Sequence, residues 1–225
     1  MKNRNPFDLC TLDDSSDCGS CDLTEKISCK WDKKKLNVFL TIGFPPFILA
    51  IFGMVVVGIM THAWWPLISY IAFLAVIFGW EIRFLCSHCP YYAEDSKILH
   101  CLGNNGAYKF FAYNPAPITK FGKFMMAFLV ATVFFVYPLA VTGYGIGYMA
   151  VNSYSRLEIL GMTGITIGCL VTSLIFFIVL KLSFCSTCIN FSCVNNTVPK
   201  NRVDDYLKKN PVMKEAWEKS GYKID

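Results

Sequence analysis

Three segments of the chain each carry a Cys-x-x-Cys pair and one further cysteine downstream: Cys18 and Cys21 with Cys29, Cys86 and Cys89 with Cys101, and Cys185 and Cys188 with Cys193. Cys10 precedes the first set, so ten of the eleven cysteines belong to the pattern and only Cys169 stands apart. Two residues between thiols let one turn present both sulfurs to one ion, and a second such turn completes a tetrahedron. Thiolate is a soft ligand suited to zinc or to iron-sulfur clusters. Three such pairs in one short chain point to metal or cluster binding ahead of dithiol redox chemistry or incidental buried thiols.

The spacing suggests two sites. Cys10, Cys18, Cys21 and Cys29 form a symmetric C-x7-C-x2-C-x7-C that can close one four-thiolate site. Its surroundings, rich in Asp, Ser and Gly, hold too few apolar residues to fold alone, so metal is expected to supply the folding energy. A second site draws on Cys86, Cys89, Cys185 and Cys188, with Cys101 and Cys193 as nearby alternatives. His88 and His100 extend the candidates, but a histidine inside a tight Cys-x-x-Cys cannot easily reach the same ion as both flanking sulfurs, so neither joins the main set. Zinc and an iron-sulfur cluster are both compatible with these ligands. Cys89-Pro90 resembles the Cys-Pro that closes a bacterial ferredoxin run, whereas the compact C-x2-C-x2-C-x3-C of that run is absent.

The elements that must position these sulfurs are hydrophobic. Of the 225 residues, 54% are hydrophobic and 16% charged, against about 25% charged in an ordinary soluble domain. The stretches 36–60, 61–80, 124–155 and 159–180 contain no Asp, Glu, Lys or Arg. A helix needs about 20 apolar residues to cross the hydrocarbon layer, so four transmembrane helices are expected. The expected fold is an all-α integral membrane protein of two similar hairpins, 36–85 and 124–182. Three cysteine-bearing segments flank them: an N-terminal segment 1–35, a middle loop 86–123 and a C-terminal tail 183–225. Helix, tight turn, helix, one basic residue and Cys-x-x-Cys occur twice, with Arg83 before Cys86 and Lys181 before Cys185. This weak repeat delivers both cysteine pairs to one membrane face.

Charge assigns that face. Twenty of the 21 Lys and Arg residues fall in the termini, the middle loop or the helix ends beside them, and only Arg156 lies opposite. By the positive-inside rule the protein is expected in the cell membrane with both termini cytoplasmic. The charged first 35 residues lack the apolar core of a cleavable signal peptide. Ten cysteines then face the reducing cytosol, where metal ligation or electron exchange is more common than structural disulfides. Trp64 and Trp65 suit the outer interface.

Other features are packing signals. Gly164 and Gly168 form a small-xxx-small pair, and Gly143, Gly145 and Gly147 thin the third helix for close approach. Pro45, Pro46 and Pro138 each remove a helical hydrogen bond and are expected to kink their helices. The tail predicts two short amphipathic helices, Asn210 capping the second and Gly221 closing it, with Val203, Tyr206, Leu207, Met213, Ala216 and Trp217 as an apolar stripe over the cysteine region or the inner membrane surface. "LGNNG", residues 102–106, reads as a plain turn, with anion binding through its amides as the alternative.

Several chemistries lack their residues. No Cys-x-x-Cys-His or mid-helix histidine pair serves haem, no ionisable group lies deep in a helix to couple transport to protons, and no Walker, GxGxxG or HExxH motif occurs. The middle loop also lacks the Asp-His-His-Cys nucleophile of palmitoyltransferases. The function expected is electron transfer or membrane anchoring by thiolate-ligated metal or iron-sulfur centres, working with a cytoplasmic protein partner and membrane lipid, with no nucleic acid. A zinc-stabilised scaffold for complex assembly and a thiol-based metal sensor or carrier are the alternatives.

Overall fold

The computed structural model describes residues 5–13, 15–101 and 103–225. Among these the fold is helical. The sole β feature is an isolated antiparallel bridge between Ile98 and Tyr108. Helix α1 (Lys33–Thr61) and helix α2 (Trp65–Phe84) are followed, after two short 3-10 turns and a long loop, by α3 (Lys120–Ala131). A π turn at Thr132–Val136 joins α3 to α4 (Tyr137–Val151), and α5 (Arg156–Val179) ends in a second π turn, Leu180–Cys185. The tail forms α6 (Lys200–Lys208) and α7 (Pro211–Lys219). Four helical stretches, Lys33–Thr61, Trp65–His88, Lys120–Val151 and Arg156–Cys185, are long and apolar enough to cross a membrane. Their starts differ slightly from the charge-free stretches. Lys33, Lys34 and Lys35 lie within the first turn of α1, and α2 starts only at Trp65, after His62 adopts a left-handed backbone at φ +54°.

The chain divides into two compact units. One comprises Val38–Phe78 and Ala127–Val179. Here large apolar side chains such as Ile48, Phe52, Ile68, Ile71, Leu160 and Ile167 point outward and exposed, as suits helices solvated by lipid. Close approach is made at several glycines. A Cβ on Gly53 would meet the Thr142 side chain at 2.7 Å, one on Gly58 would meet Trp64 at 2.9 Å, and one on Gly145 would meet Val57 at 2.6 Å. Of the small-xxx-small pair, a Cβ on Gly168 would meet Leu49 at 3.3 Å but Gly164 has no neighbour within 4 Å, and of Gly143, Gly145 and Gly147 only Gly145 is closely approached. Pro45 and Pro46 are accommodated inside α1. Pro138 instead follows directly on the π turn. Proline cannot donate to the carbonyl four residues back, and that carbonyl, of Phe134, accepts the Ser173 hydroxyl at 3.2 Å. The carbonyl of Val133 accepts the buried Tyr70 phenol at 3.2 Å, and the Tyr70 and Tyr137 rings stack. Side-chain donors thus repair the ladder where proline interrupts it.

The other unit, Met1–Asn37, Gly79–Met126 and Leu180–Asp225, gathers the three cysteine segments. Its core joins Leu9, Leu23 and Ile27 of the N-terminal segment to Val203, Tyr206, Leu207, Met213 and Trp217 of the tail helices, with Tyr91, Ile189 and Phe191 between them. The amphipathic stripe of the tail therefore packs over the cysteine loops rather than facing outward. Trp217 meets Phe191 and Tyr222 edge-on. The expectation that the N-terminal segment lacks apolar residues enough to fold holds only for that segment in isolation, because the tail supplies the missing surface. Gly221, at φ +88°, closes α7.

Candidate metal centre

All ten cysteines of the repeated pattern lie in this second unit, and none forms a disulfide. Ser28 ties the three segments together. Its N–H donates to the Thr187 carbonyl at 2.7 Å, inside Cys185-x-x-Cys188, and its own carbonyl accepts the Tyr91 phenol at 2.6 Å. The Asn190 amide donates to the Leu85 carbonyl at 3.0 Å, linking the tail segment to the end of α2. Cys169 is separate, buried in α5 with its thiol facing the Pro46 carbonyl at 3.9 Å.

Burial raises the thiols in both of the sets that the spacing defines, with neighbouring sulfurs adding to the rise. In the first, burial pushes the Cys29 thiol up to about 12, with Cys10, Cys21 and Cys18 adding to the rise. Burial also raises Cys10, opposed by an Asn210 hydrogen bond and reinforced by Cys21 and Cys18. In the second, burial raises Cys89 well above the ordinary thiol, and Cys188, Cys101 and Cys86 add to it. Cys188 is pushed up to about 12, chiefly by burial, with Cys193, Cys185 and Cys101 as like-charge neighbours. Thiols crowded in this way hold their protons against one another. A soft cation placed among them removes that repulsion and releases protons as it binds.

The sulfurs are also hydrogen-bonded. Asn104 donates its backbone N–H to Cys101 Sγ at 3.1 Å and its side-chain amide to Cys86 Sγ at 3.1 Å and to Glu81 at 3.4 Å. The Asn190 N–H donates to Cys188 Sγ at 3.4 Å. Asn210, fully buried, donates to Cys10 Sγ at 3.3 Å and accepts the Cys10 N–H at 2.8 Å. It stands at the start of α7 but makes no side-chain cap there, so the expected capping role is replaced by a bond across 200 residues to Cys10. Leu102 lies outside the described residues, and in the turn that follows it is the Asn104 amide that faces the Cys101 sulfur. N–H donors aimed at sulfur favour thiolate over thiol.

Both histidines are oriented by groups outside the thiol clusters. His88 Nδ1 lies 2.6 Å from the Ala116 carbonyl, and His100 Nδ1 lies 2.8 Å from the Glu94 carboxylate on an exposed edge. Among the described residues no three Cys, His, Asp or Glu side chains converge to hold a metal ion. In particular, the two sulfurs of each Cys-x-x-Cys belong to the same neighbourhood without forming such a group with a third ligand. Sequence reasoning passed over the asparagines that serve the sulfurs. Their signal was an Asn two or three places after a cysteine: Asn104 after Cys101 and Asn190 after Cys188. Comparison with protein-family models, with curated proteins and with solved structures finds no match.

Proposed function

We propose that this chain is a membrane-anchored electron-transfer subunit whose cysteine cap faces the cytoplasm and carries two thiolate-ligated centres that exchange electrons with a soluble partner. The observation that carries the reading is the gathering of ten cysteines from three distant segments into one unit, where the sulfurs of Cys10, Cys86, Cys101 and Cys188 accept N–H donors. Buried thiols used only as packing do not need such donors; thiolate ligands do, because hydrogen bonds to sulfur stabilise the anion and tune a centre's reduction potential.

Thiols suit both zinc and iron-sulfur chemistry. A tetrahedral zinc with Zn–S bonds of about 2.3 Å draws its sulfurs to within about 4 Å of one another. A four-iron cluster is likewise held by four cysteine thiolates. When bound, such a cluster takes up or releases one electron at a time. The chain's own residues fix the sulfurs, shield them from water beneath α6 and α7, and anchor the cap to the bilayer through four helices.

Purification of the full chain without oxygen, followed by iron, zinc and labile-sulfide analysis and a visible spectrum, tests the reading. Iron with matching sulfide and a bleachable brown absorbance is expected. A colourless protein with stoichiometric zinc would replace electron transfer by the scaffold role, and exchangeable metal on free thiols would point to a sensor or carrier.

A further inference from the structure

The loop between α2 and α3 turns rings outward and a lysine inward. Lys109 donates its ammonium to the carbonyls of Tyr92 at 3.1 Å and Glu94 at 2.7 Å, and its Nζ lies 5.3 Å from the centre of the Tyr92 ring. Side chains alternate along an extended chain, so with Lys109 facing in, Tyr108 and Phe110 face out, and Phe110 is 68% exposed. Backbone bonds fix this register: the Leu99 N–H donates to the Ala107 carbonyl at 2.8 Å and the Lys109 N–H to the Lys97 carbonyl at 2.9 Å, on either side of the Ile98–Tyr108 bridge. A loop solvated by water would carry the lysine outside and the rings inside. In the cysteine-bearing unit, the other large apolar side chains exposed outside the four long helices are scattered singly, at Trp31, Val194 and Val212 among the described residues.

Phe111 carries the patch to the end of α2. Its N–H donates to the Tyr92 hydroxyl at 3.2 Å, and its ring centre lies 5.2 Å from the Arg83 guanidinium, which is 5.7 Å from that of Phe84. Just beyond, the Asn114 N–H donates to the Ser87 carbonyl at 2.8 Å. Arg83 and Phe84 belong to Trp65–His88, a stretch long and apolar enough to cross a membrane, so the patch joins the surface of that stretch where it ends. A guanidinium held against ring faces keeps its N–H fork at the edge, the geometry that takes a phosphate in two parallel bonds. Between 79 and 126 the exposed basic groups are Arg83, Lys97 and Lys120, against the exposed acid Asp95, and Glu94 is engaged by His100 at 2.8 Å.

We propose that segment 107–111, pinned to 97–99, is a lipid-binding element: Tyr108, Phe110 and Phe111 enter the headgroup layer, and the Arg83 guanidinium takes the phosphate of an anionic phospholipid there. The inference rests on the chain spanning a membrane and is independent of any metal it binds. Aromatic rings settle at interface depth, and basic side chains at a membrane surface are drawn to anionic headgroups. The cysteine-bearing cap is then held to the bilayer by its own loop as well as by the helices.

The test uses the full chain with p-benzoylphenylalanine in place of Phe110, or of Ile71 within α2 as the reference. Each is reconstituted into vesicles of phosphatidylcholine and phosphatidylglycerol in equal amounts, irradiated, and read by mass spectrometry. Phospholipid adducts are expected at both positions, with phosphatidylglycerol enriched at 110 over 71 and that enrichment lost in Arg83→Gln. No lipid adduct at 110, or crosslinks there to protein alone, overturns the inference while 71 still labels. An adduct at 110 with no headgroup preference, or with a preference that survives Arg83→Gln, overturns the role of Arg83. Absence of lipid adducts at 71 as well overturns the membrane-spanning reading beneath it.

Discussion

The two cysteine groups are built by different means. The first, Cys10, Cys18, Cys21 and Cys29, lies in irregular turns held by short polar bonds such as Ser15 and Ser20 to Asp13 and Asp17, and its sulfurs are all partly exposed. Its one amide donor from outside the segment, Asn210, comes from the far end of the chain. The second group sits where long helices end, includes the buried Cys86, Cys89 and Cys185, and draws most of its amides from the turns that carry the sulfurs themselves. One site is completed by docking, the other by local backbone. The first should therefore be sensitive to anything that frees the tail, and the second should not.

The widest separation is expected on removing residues 199–225. This strips Tyr206, Leu207, Met213 and Trp217 from the shared core, each worth about 1.5–3 kcal/mol when fully buried. Hydrogen exchange across 5–31 should rise to that of an unfolded segment, while the amides around the helix-end cysteines keep their protection. Equal loss from both groups would break the distinction. Trp217→Ala is a milder form of the same test, costing about 3–5 kcal/mol of the stability read by thermal denaturation of the cap.

Asparagine variants sharpen the comparison further. Asn210→Ala strands the N–H of Cys10 away from its partner and should cost about 1–3 kcal/mol, with faster exchange confined to the N-terminal segment. Asn104→Ala should leave that segment unchanged and register only at the helix-end group, as faster alkylation of Cys86, whose sulfur loses the side-chain amide while the backbone N–H to Cys101 stays. The smallest effect is a pH dependence of tail docking. Burial alone would raise the Asp204 carboxyl, but the Lys200 ammonium at 2.8 Å, the Tyr222 hydroxyl at 2.8 Å and the Asp225 N–H at 3.3 Å hold it below the usual carboxylate range. A carboxyl lowered by folding stabilises the fold above its unfolded value of about 3.9 and loses that contribution as pH falls through the folded one. Acid titration followed by Trp217 fluorescence should show α6 and α7 loosening below about pH 4, and Asp204→Asn should flatten that response.

The membrane helices were legible because solvent preference is written into composition: twenty charge-free residues need no tertiary knowledge to interpret. The clustering of the cysteines was legible for a similar reason, since the helices had to deliver the short-spaced pairs to one end, and the three segments do share one unit. What the chain did not disclose is which groups meet. Asn210 looked like a helix cap because the Asn-Pro pair satisfies the local rule, and only the arrival of Cys10 redirects its amide. Gly145 and Gly168, both marked by their spacing, do make close approaches, but Gly164, Gly143 and Gly147 do not, and Gly53, which carried no motif, does because the Thr142 side chain crosses there. The N-terminal segment looked too polar to fold because its apolar partners, Tyr206 and Trp217, lie about 200 residues away.

The π turn at Leu180–Cys185 makes length, as well as identity, part of the specification of the tail. A π turn accommodates one residue more than an α-helix in the same rise, and each α-helical residue rotates the chain by about 100°. Deleting Ser183 would remove that extra residue and let α5 continue as a regular helix with the chain beyond it close to its present register, whereas a deletion in the α-helical stretch before it would swing everything beyond by about 100°. Cys185, Cys188 and the Thr187 carbonyl that holds Ser28 would leave their register in the second case and not in the first, so a single-residue deletion is expected to be costlier in α5 itself than in its π turn.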